Sequence, residues 1–364
     1  MLTVGVEEEF LLLHPDGAVA PIAPDVARLA EAGDSVIPEF MAYQLETRTP
    51  VCTTLADLRT ELTWLRLRAA QGAERAGGAR LVATGAAPFA AGPVDALTDD
   101  ERYRQLARRF PGATSAGRTC ACQVHVGVPD RDLAVAVLAR LRPWLPTLLA
   151  LTVNSPFTAG VDSGWASRRY RAQLRWPTFR PPEPWPDAER YDHVVHALVR
   201  SGAAMDAAGV YFLARLSPRY PTVEVRVGDV CLSADDTVMF AGVVRTLVTA
   251  LIDDIERGVP SVGIPTAAVH AGLMWAARHG MRRFTSRGAD EPETVPTAVA
   301  RLLSKISPFL HATGDADEVH AGLDRLLRTG TGADRQRLLW AHAAGPDEFV
   351  TALADATVLA TAVH

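Results

Sequence analysis

A chain of 364 residues, 48% hydrophobic and 22% charged, has the composition of an ordinary globular protein and enough apolar residues for a large core. A net charge of −5 leaves no basic excess for nucleic acid or an acidic membrane surface. Without a long apolar run, a charged leader or a dense cysteine pattern, the sequence predicts no membrane span, no signal peptide and no disulfide framework, hence a cytoplasmic protein.

The first predicted element is a strand, "TVGVEEEFLLL" at residues 3–13. Alternate side chains of a strand share a face, roughly 6.5–7 Å apart. Glu7 and Glu9 therefore lie with Thr3 and Gly5. Glu8 falls among Val4, Val6 and Phe10, on the apolar face, and needs either a basic partner there or a bulge that re-aims it. "YQLETRTPV", residues 43–51, puts Gln44, Glu46 and Arg48 on one face of a second strand. Residues 54–75 read as a helix, with Leu55, Leu58, Leu62 and Leu65 at helical spacing and Thr54 and Asp57 as a capping box.

Cys120 and Cys122 form C-x-C with no second cysteine pair near a histidine at zinc spacing, which predicts buried thiols. In the third strand, "CQVHVGV" at 122–128, Gln123 and His125 face away from Cys122, Val124 and Val126. Residues 130–152 read as a helix broken by Pro143 and Pro146. Residues 155–187 hold six prolines and the tryptophans at 165, 176 and 185, and read as an ordered lid or binding loop. A helix is predicted over 188–208. In the fourth strand, "TVEVRVGDV" at 222–230, Glu224 and Arg226 face away from Val223, Val225 and Val227. A helix follows over 234–257, capped by Ser233 and Asp236 and ended by Gly258 and Pro260. The last hundred residues, 265–364, read as mainly helical.

Alternation of this kind ordinarily means an antiparallel sheet with one wet face. Here the polar positions are Glu, His and Arg, and the apolar ones are rich in valine, as in central strands. If the four strands share a sheet, Glu7, Glu9, Glu46, Glu224 and His125 meet on one surface. Carboxylates so placed raise one another's pKa unless cations lie between them. Hard divalent cations take oxygen ligands and phosphate oxygens, and Arg226 beside them suits a phosphate.

These segments, in this order, resemble the carboxylate–amine ligases of the glutamate–cysteine ligase type 2 family. The matching stretches are "VGVEEEF" near the start, "ETRTPVC" at 46–52, "VHVGV" at 124–128, "RPWLPTLLALTVNSPF" at 142–157, "RWPT" at 175–178, "PTVEVRVGDVC" at 221–231, "AARHG" at 276–280 and "GTGADRQR" at 330–337. The resemblance implies an α+β fold like the catalytic part of glutamine synthetase: one domain over residues 1–364, with helices behind a curved antiparallel sheet and the active site on its concave face. It implies ATP, two or three Mg²⁺ ions (with Mn²⁺ as the alternative) and phosphorylation of a small carboxylate before an amine attacks the acyl phosphate. It also implies a homodimer. By position, Glu7, Glu9, Glu46 and Glu224 match the metal-binding acids, joined by His125. Arg226 matches the arginine that contacts the transferred phosphoryl group, with Gln123, His125 and Arg168 as further nucleotide-side candidates. Arg169 is the nearest match to a substrate-side arginine, and Arg168 competes with it.

The sequence also departs from the family. "HVHVG" becomes Gln123-Val-His125, and the plant-type enzymes carry glutamine there too. Thr158 and Val161 replace an aromatic and an arginine, Ala87 replaces a histidine and Leu213 an aspartate. Those changes are expected to fall where substrate is held, which leaves the acid and amine open, with a true glutamate–cysteine ligase as one alternative. A metal-dependent amidohydrolase or a non-catalytic nucleotide-binding relative are the alternatives of another class. Arg226 counts against the first, and the losses at 87 and 213 are the support for the second.

Overall fold

The computed structural model describes residues 1–282, 284–286 and 292–359 of the chain. Its strands, apart from a C-terminal antiparallel pair of Phe284–Ser286 and Pro292–Thr294, are β1 (Val4–Leu13), β2 (Val36–Pro38), β3 (Gln44–Arg48), β4 (Arg80–Val82), β5 (Ala121–Gly127), β6 (Phe157–Thr158), β7 (Val161–Asp162), β8 (Ala214–Leu216) and β9 (Thr222–Asp229). β6 and β7 form a separate small hairpin. The others make a seven-stranded antiparallel sheet in the order β2–β3–β1–β5–β9–β8, with β4 beside the end of β1 at Leu11–Leu13. All four predicted strands lie in this sheet. Its register sets Glu9 opposite Glu46, Glu7 opposite Gln123 and His125 opposite Glu224.

Val4, Val6, Val124, Val126, Val223 and Val225 are buried on the other face. Leucines and valines of the helices Leu55–Gly77, Leu145–Thr152 and Ala234–Glu256 share a contiguous core with them. Glu8 belongs to this apolar side, and a basic partner is what accommodates it. Arg66, from helix Leu55–Gly77, grips both carboxylate oxygens at 2.5 and 2.9 Å, and Thr237 donates to the same carboxylate at 2.6 Å. The remaining Arg66 N–H groups go to the carbonyls of Cys231, Leu232 and Thr357, so a fully buried charge is fully satisfied.

Most helix ends follow their caps. Ser233 and Asp236 form the full capping box, whereas Thr54 supplies half of one, accepting from the Asp57 amide. The proline-broken helix resolves into Arg131–Leu141, a 3₁₀ turn at Arg142–Trp144, and Leu145–Thr152. That stretch, 131–152, is the one among the described residues long and apolar enough to cross a membrane, and 72% of its most apolar window is buried inside the domain. The helix predicted over 188–208 stops at Arg200, where Gly202 adopts φ 81°. Helices Thr266–His279, Val295–Thr313, Ala316–Thr329, Gly332–His342 and Pro346–Val358 make up the C-terminal part, and the helical expectation at 287–291 and 360–364 lies outside the described residues.

The tryptophan-rich segment is ordered, but it is built into the body. Trp165, Trp176 and Trp185 are 8%, 5% and 7% exposed. Burying rings of that size builds the segment into the domain, and Arg169, Gln173, Trp176 and Phe179 from it line the cavity described below, as the binding-loop alternative expects.

Candidate active site

Above the polar face lies a cavity of about 720 Å³. β1, β3, β5 and β9 supply its floor, which carries the carboxylates in two groups. In the first, oxygens of Glu9, Glu39 and Glu46 all lie within 4.8 Å of one another. Glu9 accepts from the Ala121 amide at 2.8 Å and the Gln123 side chain at 2.9 Å, and Arg48 reaches Glu46 at 2.5 Å. In the second, His125 Nε2 is 3.7 Å from Glu7 Oε1, and Glu224 stands opposite His125 in the register. Arg226 joins the groups, donating to both Gln123 and Glu224. Arg215 of β8 holds Glu224 from the far side at 2.8 and 3.1 Å.

The two groups differ electrostatically. Burial, then the neighbouring Glu46, pushes Glu9 up to about 7. Burial, with Glu46 and Glu9, pushes Glu39 up to about 8, and Glu7 and Glu46 are raised as well. Burial alone would raise Glu224 too, but Arg226 and Arg215 outweigh it and hold that carboxyl well below the usual range. The expected mutual repulsion thus holds at Glu7, Glu9 and Glu46 and fails at Glu224, which is bracketed by cations. His125 falls to about 4, chiefly through burial. It is therefore neutral, with Nδ1 on the Thr222 hydroxyl at 2.9 Å and Nε2 buried without a hydrogen-bond partner.

Glu7, Glu9, Glu46, Gln123, His125, Glu224, Arg226 and Arg169 all line the cavity, whereas Arg168 does not. Arg169 spends two nitrogens on backbone carbonyls of β9, at 3.0 and 3.1 Å. Ala87, Thr158, Val161 and Leu213 do not line the cavity either. Val161 is exposed on the small hairpin and Leu213 is buried in the core. The sequence reading missed Glu39, Tyr103 (which donates to Glu39), Arg215, and Phe40 and Tyr211, which form an aromatic wall with Trp176. Glu39 sits just past the three-residue β2, and Arg215 in the three-residue β8, so neither falls in a strand long enough to show alternation.

The model of glutamate–cysteine ligase family 2 matches residues 3–352. The chain belongs to that family. A protein of Mycobacterium sp. (strain KMS), named "Putative glutamate--cysteine ligase 2-2", is 41% identical over 364 residues, covering 98% of each chain. The fold is similar to that of the glutamate–cysteine ligase of Francisella tularensis solved in complex with AMP, with TM-score 0.71, 12% identity, and 97% of this chain and 87% of that one covered. A bifunctional glutathione synthetase from Pasteurella multocida gives TM-score 0.70 at 15% identity, over 97% of this chain and 52% of that longer one. Family membership makes the protein an ATP-dependent carbon–nitrogen ligase and implies ATP and a divalent cation.

The residues present fit such a cation. Glu9, Glu39 and Glu46 are three oxygen donors at one point, with too much negative charge for a buried site alone. The buried, unpartnered Nε2 of His125 beside Glu7 makes a second donor set.

Proposed function

We propose that the protein joins a small carboxylic acid to an amine at the expense of ATP, through an acyl phosphate. A carboxylate oxygen of the acid attacks the γ-phosphorus of ATP and ADP leaves. The amine nitrogen then attacks the acyl carbon, loses a proton and expels phosphate. One observation carries the reading: two carboxylate groups on one floor, with Arg226 bonded to Glu224 of one and linked through Gln123 to Glu9 of the other. Glu9, Glu39 and Glu46 would hold one divalent cation and Glu7, His125 and Glu224 another, each neutralising phosphate charge during transfer. Arg226, fixed by Gln123 and Glu224, presents donors to the charge that develops on the phosphoryl group. The aromatic wall excludes water that would hydrolyse the acyl phosphate.

The names of the relatives favour a second, narrower reading, glutamate and cysteine as the acid and amine. A single catalytic domain over 1–364, two or three Mg²⁺ ions, a homodimer and a cytoplasmic location complete the proposal. Nucleotide consumption across a panel of amino acids and amines tests it. A ligase releases ADP when acid and amine are both present. Amide hydrolysis without ATP supports an amidohydrolase instead, and ATP binding with no turnover of any pair supports a non-catalytic relative.

A further inference from the structure

β9 carries both Glu224 and Arg226, and it is irregular at Arg226. Its register with β5 shifts between Cys122 and Val124, so Arg226 and Val227 together face Gln123. Successive carbonyls of a regular strand point to opposite edges, and a bulge swings neighbouring ones toward a common side. Arg169 takes both: Nη2 donates to the Arg226 carbonyl at 3.0 Å and Nη1 to that of Val227 at 3.1 Å.

Asp229, two residues past the bulge, lies 3.8 Å from Arg169 Nη1. It is fully buried and accepts from the Asn154 amide at 2.9 Å, the Ser155 hydroxyl at 2.6 Å and the Ser167 hydroxyl at 2.7 Å. Gly85 lies so close that a Cβ there would meet Asp229 Cγ at 2.6 Å, so backbone packs directly against the carboxylate. Asp229, Ser155 and Ser167 do not line the cavity. A buried ion pair adds little net stability, and its best-attested use is fixing one arrangement among several.

We propose that Asp229 and Arg169 are positioning residues, which hold the β9 bulge in the shape that aims Arg226 at Gln123 and Glu224. This rests on the ligase reading for what Arg226 does, but not for where it points. Arg169→Lys keeps a positive charge beside Asp229 and reaches at most one of the two carbonyls. Turnover by R169K then falls on the order of 10²-fold, the effect of a misplacement near 1 Å. The KM values for ATP and for the carboxylate stay unchanged, because ground-state contacts are kept. In an Arg226→Lys background, R169K causes no further loss, since it acts through Arg226. A crystal structure of R169K shows the Arg226 side chain off Gln123. Ser167→Ala, which removes one hydroxyl from Asp229, gives a weaker form of the same pattern and serves if R169K does not fold. The proposal is overturned if the two arginine effects multiply, or if KM for the carboxylate rises while Arg226 keeps its place. A wild type inert with every acid and amine sinks the ligase reading instead, and the crystal structure still decides the positioning role.

Discussion

Glu39→Gln separates a charge effect from a packing effect at one side chain. Glutamine fills the same volume and keeps an oxygen for Tyr103, but it removes one of three crowded charges. Above the pH at which Glu39 titrates, about 8, the metal-free variant is expected to melt higher than the wild type. Its Mg²⁺ affinity should fall at least about tenfold, as even the partners behind metal ligands cost that much. Melting curves with and without Mg²⁺ check both, and a wild-type Mg²⁺ response would place the ion away from Glu39. Glu224→Gln should do the opposite in the metal-free protein. It leaves Arg215 and Arg226 without their carboxylate, a loss of about 3–5 kcal/mol by denaturant unfolding. Arg226→Lys keeps the charge but not the planar fork. ATP should still bind, while turnover drops on the order of 10²–10³-fold in a steady-state assay. The long strands made most of these side chains legible, because alternation tells which residues share a face. It carried no signal for Glu39 just past a strand of three residues, nor for Arg215 within another.

At the scale of elements, the Glu8–Arg66 pair fastens β1 to helix Leu55–Gly77. Glu8→Gln strands a fully buried guanidinium and should cost about 3–5 kcal/mol, whereas replacing both residues with methionine should recover most of that loss. Urea titrations of the single and double variants test the pair. A single variant as stable as the wild type would mean that the carbonyls around Arg66 suffice without Glu8. The sequence marked Glu8 as a misfit but could not name its partner, since Arg66 is one of several basic residues on that helix. The bulge in β9 left no trace at all, because "TVEVRV" alternates without a break through Val227. The tryptophan-rich segment was legible as an ordered lid or binding loop, but not as which of the two, since composition does not say which way a ring packs.

For the whole molecule, what the sequence withheld was strand order and register, which decide that four separate alternating segments share one floor. Their convergence has a consequence for stability against pH. In the unfolded chain these glutamates titrate near the ordinary 4.5, while in the folded metal-free protein Glu9 is raised to about 7 and Glu39 to about 8. The folded state therefore binds protons more tightly. The stability this contributes is complete below the unfolded value and is lost as pH rises through the folded ones. The metal-free protein should lose on the order of a few kcal/mol between about pH 5 and pH 8.5. Divalent cations need ionised carboxylates, so Mg²⁺ should stabilise the protein more strongly as pH rises over the same range. Urea midpoints at several pH values, with and without Mg²⁺, should therefore diverge toward alkaline pH. Parallel curves would mean that the carboxylates do not share a cation, and the two-cluster reading of the floor would fall with them.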